Sequence, residues 1–214
     1  ETENFYWKYE QFIKKMESAV STVTVFNGAI YAMRQKLHKR MCPQSSNDLQ
    51  HALQVRLQKY RSIYEPLAVA YEQSSASEEV EFNRHIRINS RSWKGLMANL
   101  YVLNPFIMGV YPMQFFFRKV CRWLGPILLI LALISNLALY SQDSQGLYFW
   151  LLIGQVTAYF LGALGMVQRK SKNPIKVAYY VYYFLLINWA SFLGFLRFIT
   201  NKDTSIWSPT SHSL

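Results

Sequence analysis

Three uncharged, apolar runs constrain this chain more than any other feature of its sequence. They cover residues 124–140, 147–167 and 177–195, and each is about 17 to 21 residues long. A helix of roughly 20 apolar residues matches the thickness of a bilayer core and satisfies its own backbone polar groups there. A helix buried in a soluble core is usually shorter and carries a polar stripe. The sequence therefore predicts a three-helix transmembrane region within residues 124–200.

The charges of the connecting segments predict the orientation of these helices. Residues 140–146 contain no Lys or Arg, whereas residues 168–176 contain four. Because positively charged loops stay on the cytoplasmic side, we expect the second loop and the amino-terminal region to be cytoplasmic, at a plasma (inner) membrane. The tail, residues 201–214, then lies outside, although Arg197 and Lys202 near it are positively charged.

The remaining charge is concentrated ahead of the first apolar run. Residues 1–123 hold 17 of the 23 Lys and Arg and 10 of the 12 Asp and Glu. The basic residues are scattered through helix-like segments with acidic neighbours, and Arg118, Lys119 and Arg122 cluster directly before the run, which favours contact with lipid head groups over nucleic acid. Residues 102–123 mix aromatics and prolines with these basic residues, which predicts an interfacial amphipathic segment.

Residues 1–101 show an alternating order of predicted elements. An amphipathic helix opens the chain, and the β-branched and aromatic stretch "TVTVFNGAIYAMR" predicts a strand, a bend at Asn27-Gly28, and a second strand or helix start. A helix capped by Asn47 or Asp48 follows, and the segment around Pro66 predicts short strands. Ser75 to Glu78 has the pattern of a capping box before a long basic helix. This order predicts an α/β domain.

Residue types alone give only weak evidence for a catalytic residue. No phosphate-binding Gly-rich loop, nucleophile elbow or metal-binding helix motif occurs, and the cysteines and histidines lack disulfide or zinc spacing. Asp48 stands at a helix start, where Asp is a preferred capping residue. From its residue type, Asp48 is therefore a helix cap.

The order of four segments changes this interpretation. "YWKYEQFIKKMES", "VFNGAIYAMRQKL", "SSNDLQHALQVRLQKYRSIYEPLAVAYE" and "EEVEFNRHIRINSRSWKGL" precede the aromatic stretch and the three spans. Over residues 1–207 this order resembles the C-terminal half of membrane-embedded family 2 glycosyltransferases, the cellulose-, chitin- and hyaluronan-synthase-like enzymes. The resemblance implies that residues 1–101 are the acceptor-side part of a GT-A-type domain. It also implies inverting transfer from a nucleotide-diphosphate sugar to a glycan or lipid-linked acceptor.

The resemblance implies a base and an acceptor site. Ser46-Asn47-Asp48 corresponds to the family's Thr-Glu-Asp type motif but departs from it at Ser46 and Asn47. The Asp of that motif is the general base, so Asp48 would deprotonate the acceptor hydroxyl. The acceptor-lining loop of the family corresponds to Phe26, Asn27, Gly28 and Ala29. In that role Gly28 would let the backbone approach the sugar, and Phe26 would offer it a flat face. An ordinary turn between strands is the alternative interpretation of this loop.

The resemblance also implies a donor contact on the basic helix. The family's Gln-x-x-Arg-Trp motif corresponds to residues 84–88, where Arg87, with Arg84 beside it, would contact the donor diphosphate. A solvated or lipid-facing stripe is the alternative interpretation of these arginines. Ile88 stands where the family has a Trp that stacks on the growing polymer, which argues against synthesis of long polymers.

The donor-binding half of the family has no counterpart here. That half carries the Asp-x-Asp motif for Mg²⁺ or Mn²⁺, so we expect the metal ligands of the complete enzyme to lie outside this chain, which alone would be inactive. The expected partners are a nucleotide sugar, a glycan or lipid-linked acceptor, and membrane lipids. A non-enzymatic membrane scaffold or assembly subunit is the alternative. A channel or transporter is disfavoured because the apolar runs contain no ionisable side chain of the kind that marks an ion path.

Overall fold

The computed structural model describes residues 2–71, 77–142, 146–169, 171 and 175–201, and every regular element within them is helical. The helices are α1 (Thr2–Val20), α2 (Asn47–Leu57), α3 (Glu78–Met97), α4 (Pro105–Met108), α5 (Tyr111–Phe115), α6 (Cys121–Tyr140), α7 (Leu147–Gln168) and α8 (Lys176–Ile199). Two 3₁₀ turns lie at Gln35–Leu37 and Leu100–Leu103. A π-helical turn, Phe116–Val120, joins α5 to α6.

The predicted α/β, GT-A-type fold is wrong for the described residues, which form an all-helical fold without a strand. Both segments predicted as strands are irregular. They meet at one backbone hydrogen bond, in which Val23 N–H donates to Ser62 O over 2.9 Å, while Ser62 N–H donates to the Thr22 hydroxyl at 2.8 Å. A β ladder needs repeated backbone pairs. The β-branched residues therefore did not suffice to form a sheet.

Two predicted helix caps also differ from the structure. Helix α2 begins at Asn47, so Ser46 takes the capping position and Asp48 lies within the first turn. Its negative charge is favourable there because the helix dipole is positive at the amino end. Helix α3 is capped by Ser77, whose hydroxyl accepts from Val80 N–H at 3.3 Å. The predicted cap Ser75 lies outside the described residues.

The hydrophobic core lies where α2, the second half of α3 and the segment 102–123 meet. Its buried members are Leu49, Leu53, Trp93, Leu96, Val102, Met108, Tyr111, Phe115, Val120 and Trp123. Segment 102–123 therefore contributes one side to this core. Its other side, which includes Phe106 and Phe117, is exposed. The predicted amphipathic character of this segment agrees with that division.

Three helices are long and apolar enough to cross a membrane. They are Tyr111–Tyr140, which joins α5, the π-turn and α6 into one rod of 30 residues, together with α7 and α8. The rod is about 45 Å long at 1.5 Å per residue, longer than the roughly 30 Å hydrocarbon core. Its basic residues stop at Arg122, so the apolar part begins at the next residue, Trp123.

Small residues allow α7 and α8 to pack closely. A Cβ atom added to Gly165 of α7 would overlap the carbonyl group of Ala178 in α8, and one added to Gly162 would overlap Leu185. Close packing of small residues is a common way for helices to associate within a bilayer. The two helices thus form an antiparallel hairpin.

Helix α3 lies parallel to α8 along its whole length. Glu78 accepts from the Tyr179 hydroxyl at 3.0 Å near the start of both helices, and the Asn89 amide donates to the Ser191 hydroxyl at 3.2 Å further along. At the far end, Lys94 Nζ donates to Asn201 Oδ1 at 3.0 Å. The end of α8 therefore lies beside the end of α3, and the predicted tail lies outside the described residues from residue 202 onward.

Candidate functional site

A cleft of about 220 Å³ lies between α1, the loop that follows it, and the start of the membrane rod. One wall is formed by Thr24, Val25, Phe26, Asn27, Gly28 and Asp48. Helix α1 contributes Trp7, Glu10, Lys14 and Glu17, and the rod contributes Arg118, Lys119 and Arg122. Ile88 of α3 completes the lining. The cleft thus combines carboxylates, cations and a few apolar side chains beside the membrane end of the fold.

The structure brings Asp48 together with the predicted acceptor loop. Phe26 N–H donates to the backbone carbonyl of Asp48 over 3.3 Å, and Phe26, Asn27 and Gly28 all line the cleft with Asp48. Ala29 is not among the described lining residues; its N–H donates to Asn27 Oδ1 at 3.3 Å and closes a local turn. The predicted base and three of the four predicted acceptor residues therefore share one wall.

Local contacts orient the Asp48 side chain. The Ser46 hydroxyl donates to one carboxylate oxygen of Asp48, so the residue in the capping position helps hold the carboxylate rather than the helix amides. Asp48 is only half-buried, so its carboxylate has a route to a ligand in the cleft. The carboxylate is therefore held in place and still accessible from the cleft.

A tyrosine and a histidine lie behind Asp48. The Tyr31 hydroxyl is 2.7 Å from Nδ1 of the buried His51, and the Phe26 ring packs against Tyr31 at a centroid distance of 5.1 Å. Burial raises the pKa of Tyr31, and the negative charge of Asp48 raises it further. Burial lowers the pKa of His51, the His38 ring beside it adds to this effect, and Asp48 opposes it. Asp48 thus lies close enough to influence both rings.

An ion-pair network fixes the opposite wall. Arg118 pairs with both Glu10 and Glu17, and its Nε lies 3.2 Å from Glu17 Oε1. The same Glu17 oxygen accepts from the Thr24 hydroxyl at 2.6 Å, and its second oxygen accepts from Thr24 N–H at 3.0 Å. Arg122 lies 3.7 Å from Glu10 Oε1. Charge-assisted hydrogen bonds of this kind hold α1 and the acceptor loop against the membrane rod.

The predicted donor-binding arginines lie on a neighbouring stripe of α3. Arg84 is exposed and Arg87 is half-buried, and neither is among the described residues that line the cleft. Burial lowers the pKa of Arg87, and the charges of Arg91 and Arg84 lower it further. Ile88, at the position of the family's Trp, does face the cleft. The structure therefore brings the end of this motif, but not its arginines, to Asp48.

The described residues offer no metal site. No three His, Cys, Asp or Glu side chains come together as metal ligands would within the described ranges. The three carboxylates of the cleft are Glu10 and Glu17, which pair with arginine, and Asp48, which accepts from Ser46. These residues do not fit Mg²⁺ or Mn²⁺, whose ligands the resemblance places outside this chain.

The described helices fit a membrane protein whose cleft lies where its first membrane helix begins. Comparisons with known proteins add no family to this description: no protein-family model matches the chain, and neither a curated protein nor a solved structure matches it.

The cations of the cleft were not predicted as site residues. From the sequence, Lys14 belongs only to the predicted first amphipathic helix, and Arg118, Lys119 and Arg122 are expected to contact lipid head groups. Their spacing of more than 100 residues along the chain gives no local signal, as the Arg118–Glu10 pair illustrates. The one available signal was the combination of acidic residues on the first helix with basic residues before the first span.

Proposed function

We propose that this chain forms the acceptor side of an inverting glycosyltransferase that works at the cytoplasmic face of the plasma membrane. The observation that carries the proposal is the shared wall of Asp48, Phe26, Asn27 and Gly28, held by the hydrogen bond from Phe26 N–H to Asp48 O. Two sequence motifs with the order expected for a base and an acceptor loop are thereby neighbours in space.

The reaction needs only one carboxylate from this chain. Asp48 takes the proton from an acceptor hydroxyl as the hydroxyl oxygen forms a bond to the anomeric carbon of the donor sugar. The bond from that carbon to the nucleotide diphosphate breaks, and the electron pair leaves with the diphosphate. Because a single displacement occurs without a covalent enzyme intermediate, the anomeric configuration inverts. The Asp48 carboxylate then releases its proton to solvent.

The donor would be held mainly by sequence outside this chain. Arg87 and Arg84 stay the proposed contacts to its diphosphate, because a guanidinium group binds phosphate oxygens with two parallel hydrogen bonds. Of this segment only Ile88 lines the cleft that holds Asp48, so the role of the two arginines rests on the sequence resemblance. The acceptor is a glycan or a lipid-linked glycan.

The decisive experiment compares Asp48→Asn with the wild-type, full-length gene product in membranes supplied with a panel of nucleotide sugars. We expect the variant to lose sugar transfer by at least about 100-fold, the scale of general-base catalysis, while it still binds the nucleotide. Glu79→Gln, a matched change of an exposed carboxylate on α3, should leave transfer unchanged. Full activity of Asp48→Asn would refute the proposal, and the absence of any transfer by the wild type would favour a non-enzymatic scaffold.

A further inference from the structure

Two lysines in the cleft have no partner within the described part of the chain. Glu10 and Glu17 are bound by Arg118 and Arg122, and Asp48 accepts from Ser46. Lys14 and Lys119 line the same cleft, yet neither forms a hydrogen bond or an ion pair with a described residue. The two ammonium groups are thus left available to a ligand.

Both lysines are partly removed from water, which makes this arrangement costly without a ligand. Lys14 and Lys119 are each half-buried. Burial lowers the pKa of Lys14 by disfavouring its charged form, although the carboxylates of the cleft act in the opposite direction. An anion placed between two half-buried ammonium groups would offset this cost and would gain more than it does at an exposed site. The cleft therefore favours an anionic ligand beside Lys14 and Lys119.

The position of Lys119 places the anion-binding side of the cleft near the level of the lipid head groups. Lys119 lies in the π-turn, three residues before the last basic residue of the membrane rod, Arg122. Phe116 and Phe117, which precede it, are 44% and 64% exposed. Apolar side chains next to basic ones are typical of the level of the lipid head groups. A ligand whose phosphate meets Lys119 can therefore place an alkyl chain along the exposed aromatic surface.

We propose that Lys14 and Lys119 bind a phosphate group of the acceptor, which is therefore a sugar linked to a lipid through phosphate. This inference rests on the proposed function for the identity of the acceptor. Asp48 then faces the sugar hydroxyl, while the lysines hold the phosphate and Trp7 and Ile88 flank the sugar. A volume of about 220 Å³ accommodates a head group, since whole drug-sized ligands need roughly 300–1,000 Å³.

The test measures binding of dodecyl phosphate to the purified full-length protein in nanodiscs of neutral lipid. The variants are Lys14→Gln, Lys119→Gln and the double variant, and Lys15→Gln, an exposed neighbour outside the cleft, is the control. We expect each cleft variant to raise the Kd about tenfold, an ordinary loss for one charged contact, and Lys15→Gln to leave it unchanged. Lys14→Arg and Lys119→Arg keep the charge and should retain most of the affinity, which separates binding from folding.

Other probes distinguish the sources of phosphate. Neutral dodecyl maltoside should not compete, and inorganic phosphate should compete only at much higher concentration. If inorganic phosphate binds as tightly as dodecyl phosphate, the site takes free phosphate and the lipid-linked acceptor is refuted. If the lysines instead govern binding of a nucleoside diphosphate, the site belongs to the donor, which also refutes the proposal. An unchanged Kd in the double variant would refute it directly.

Failure of this inference can be told apart from failure of the proposed function. Asp48→Asn should still bind dodecyl phosphate, because the variant keeps both lysines and removes a negative charge that repels the phosphate. If Asp48→Asn keeps sugar transfer while the lysine variants lose phosphate binding, the assigned base is wrong and the phosphate site stands. If Asp48→Asn abolishes transfer and the lysine variants bind normally, the reverse holds.

Discussion

The backbone N–H of Phe26 donates to the backbone carbonyl of Asp48 over 3.3 Å. This bond attaches the irregular loop after α1 to the first turn of α2, and it sets the distance between a flat aromatic side chain and a carboxylate. Because backbone atoms form the bond, it does not depend on the identity of either side chain. Substitution of side chains in this wall should therefore change catalysis or binding while the backbone arrangement is kept.

Gly28→Ala tests whether a ligand approaches the backbone of this wall. A Cβ atom at Gly28 would meet no atom within 4 Å, so the substitution should not disturb folding. It would, however, occupy part of the cleft, and we expect sugar transfer to fall about tenfold or more, because small displacements of a substrate are costly. Activity and thermal stability should be measured together. Gly154→Ala in α7 is the matched control, because its Cβ would likewise meet nothing within 4 Å.

Arg118→Met should destabilise the protein strongly. Arg118 is 12% exposed and pairs with Glu10 and Glu17, which are 11% and 6% exposed. Removal of the arginine would leave two buried carboxylates with less compensation, which costs about 3 kcal/mol of unfolding free energy. Thermal unfolding in detergent measures the loss. The double variant Arg118→Met/Glu17→Gln should recover part of it, whereas an equal loss in Lys15→Met would contradict the assignment to the ion pair.

Acidification should destabilise the fold through His51. Burial lowers the pKa of His51 below its ordinary value of 6.5, so the unfolded chain binds the proton more tightly than the folded chain. The contribution of His51 to stability is therefore complete above pH 6.5 and decreases as the pH falls toward the lowered pKa. We expect the Tm to decline between pH 7.5 and pH 5.

Substitution of His51 by Gln should flatten this decline, because the group that takes up the proton is gone. His38→Gln removes only a secondary cause of the shift and should keep most of the decline. A decline of unchanged steepness in His51→Gln would assign the pH dependence to other groups.

Three successive crossings by α6, α7 and α8 would place position 201 on the same side of the membrane as position 142 and opposite position 59. In a background without Cys42 and Cys121, we expect Asn201→Cys and Gln142→Cys to react with an impermeant maleimide from one side and Lys59→Cys to react from the other. Labelling of positions 59 and 201 from one side would show instead that α8 does not cross the bilayer, and the contact between Asn201 and Lys94 would then lie on that side.

The long helices were predictable because their signals are local. Runs of 17 or more apolar residues and basic, amphipathic helices identify α1, α3 and the three membrane helices from sequence alone. The predicted strands failed because strand formation depends on partners elsewhere in the chain. Among the described residues, the segment around Val23 forms one backbone hydrogen bond with the segment around Pro66, from Val23 N–H to Ser62 O. Its β-branched residues therefore have no neighbouring strand with which to form a sheet.

The candidate site was predictable in part for the same reason. Asp48 and Gly28 stand out through their places in ordered motifs. The contribution of Lys14 and Arg118 depends on tertiary contacts that join residues more than 100 positions apart, as in the pair of Arg118 with Glu10. No single-sequence pattern specifies such a pairing, and the basic residues before the first span were equally compatible with lipid contact alone.

The packing of α3 against α8 can form only after both helices have been synthesised. Asn89 and Ser191 are 102 positions apart, so ribosomal synthesis releases α3 well before its partner exists. During that interval the face of α3 that carries Ile86 and Asn89 lacks its partner α8, and its exposure favours misassembly of the nascent chain. Such distant contacts also form slowly. The packing of α3 is therefore completed only when the last of the long apolar helices has been synthesised.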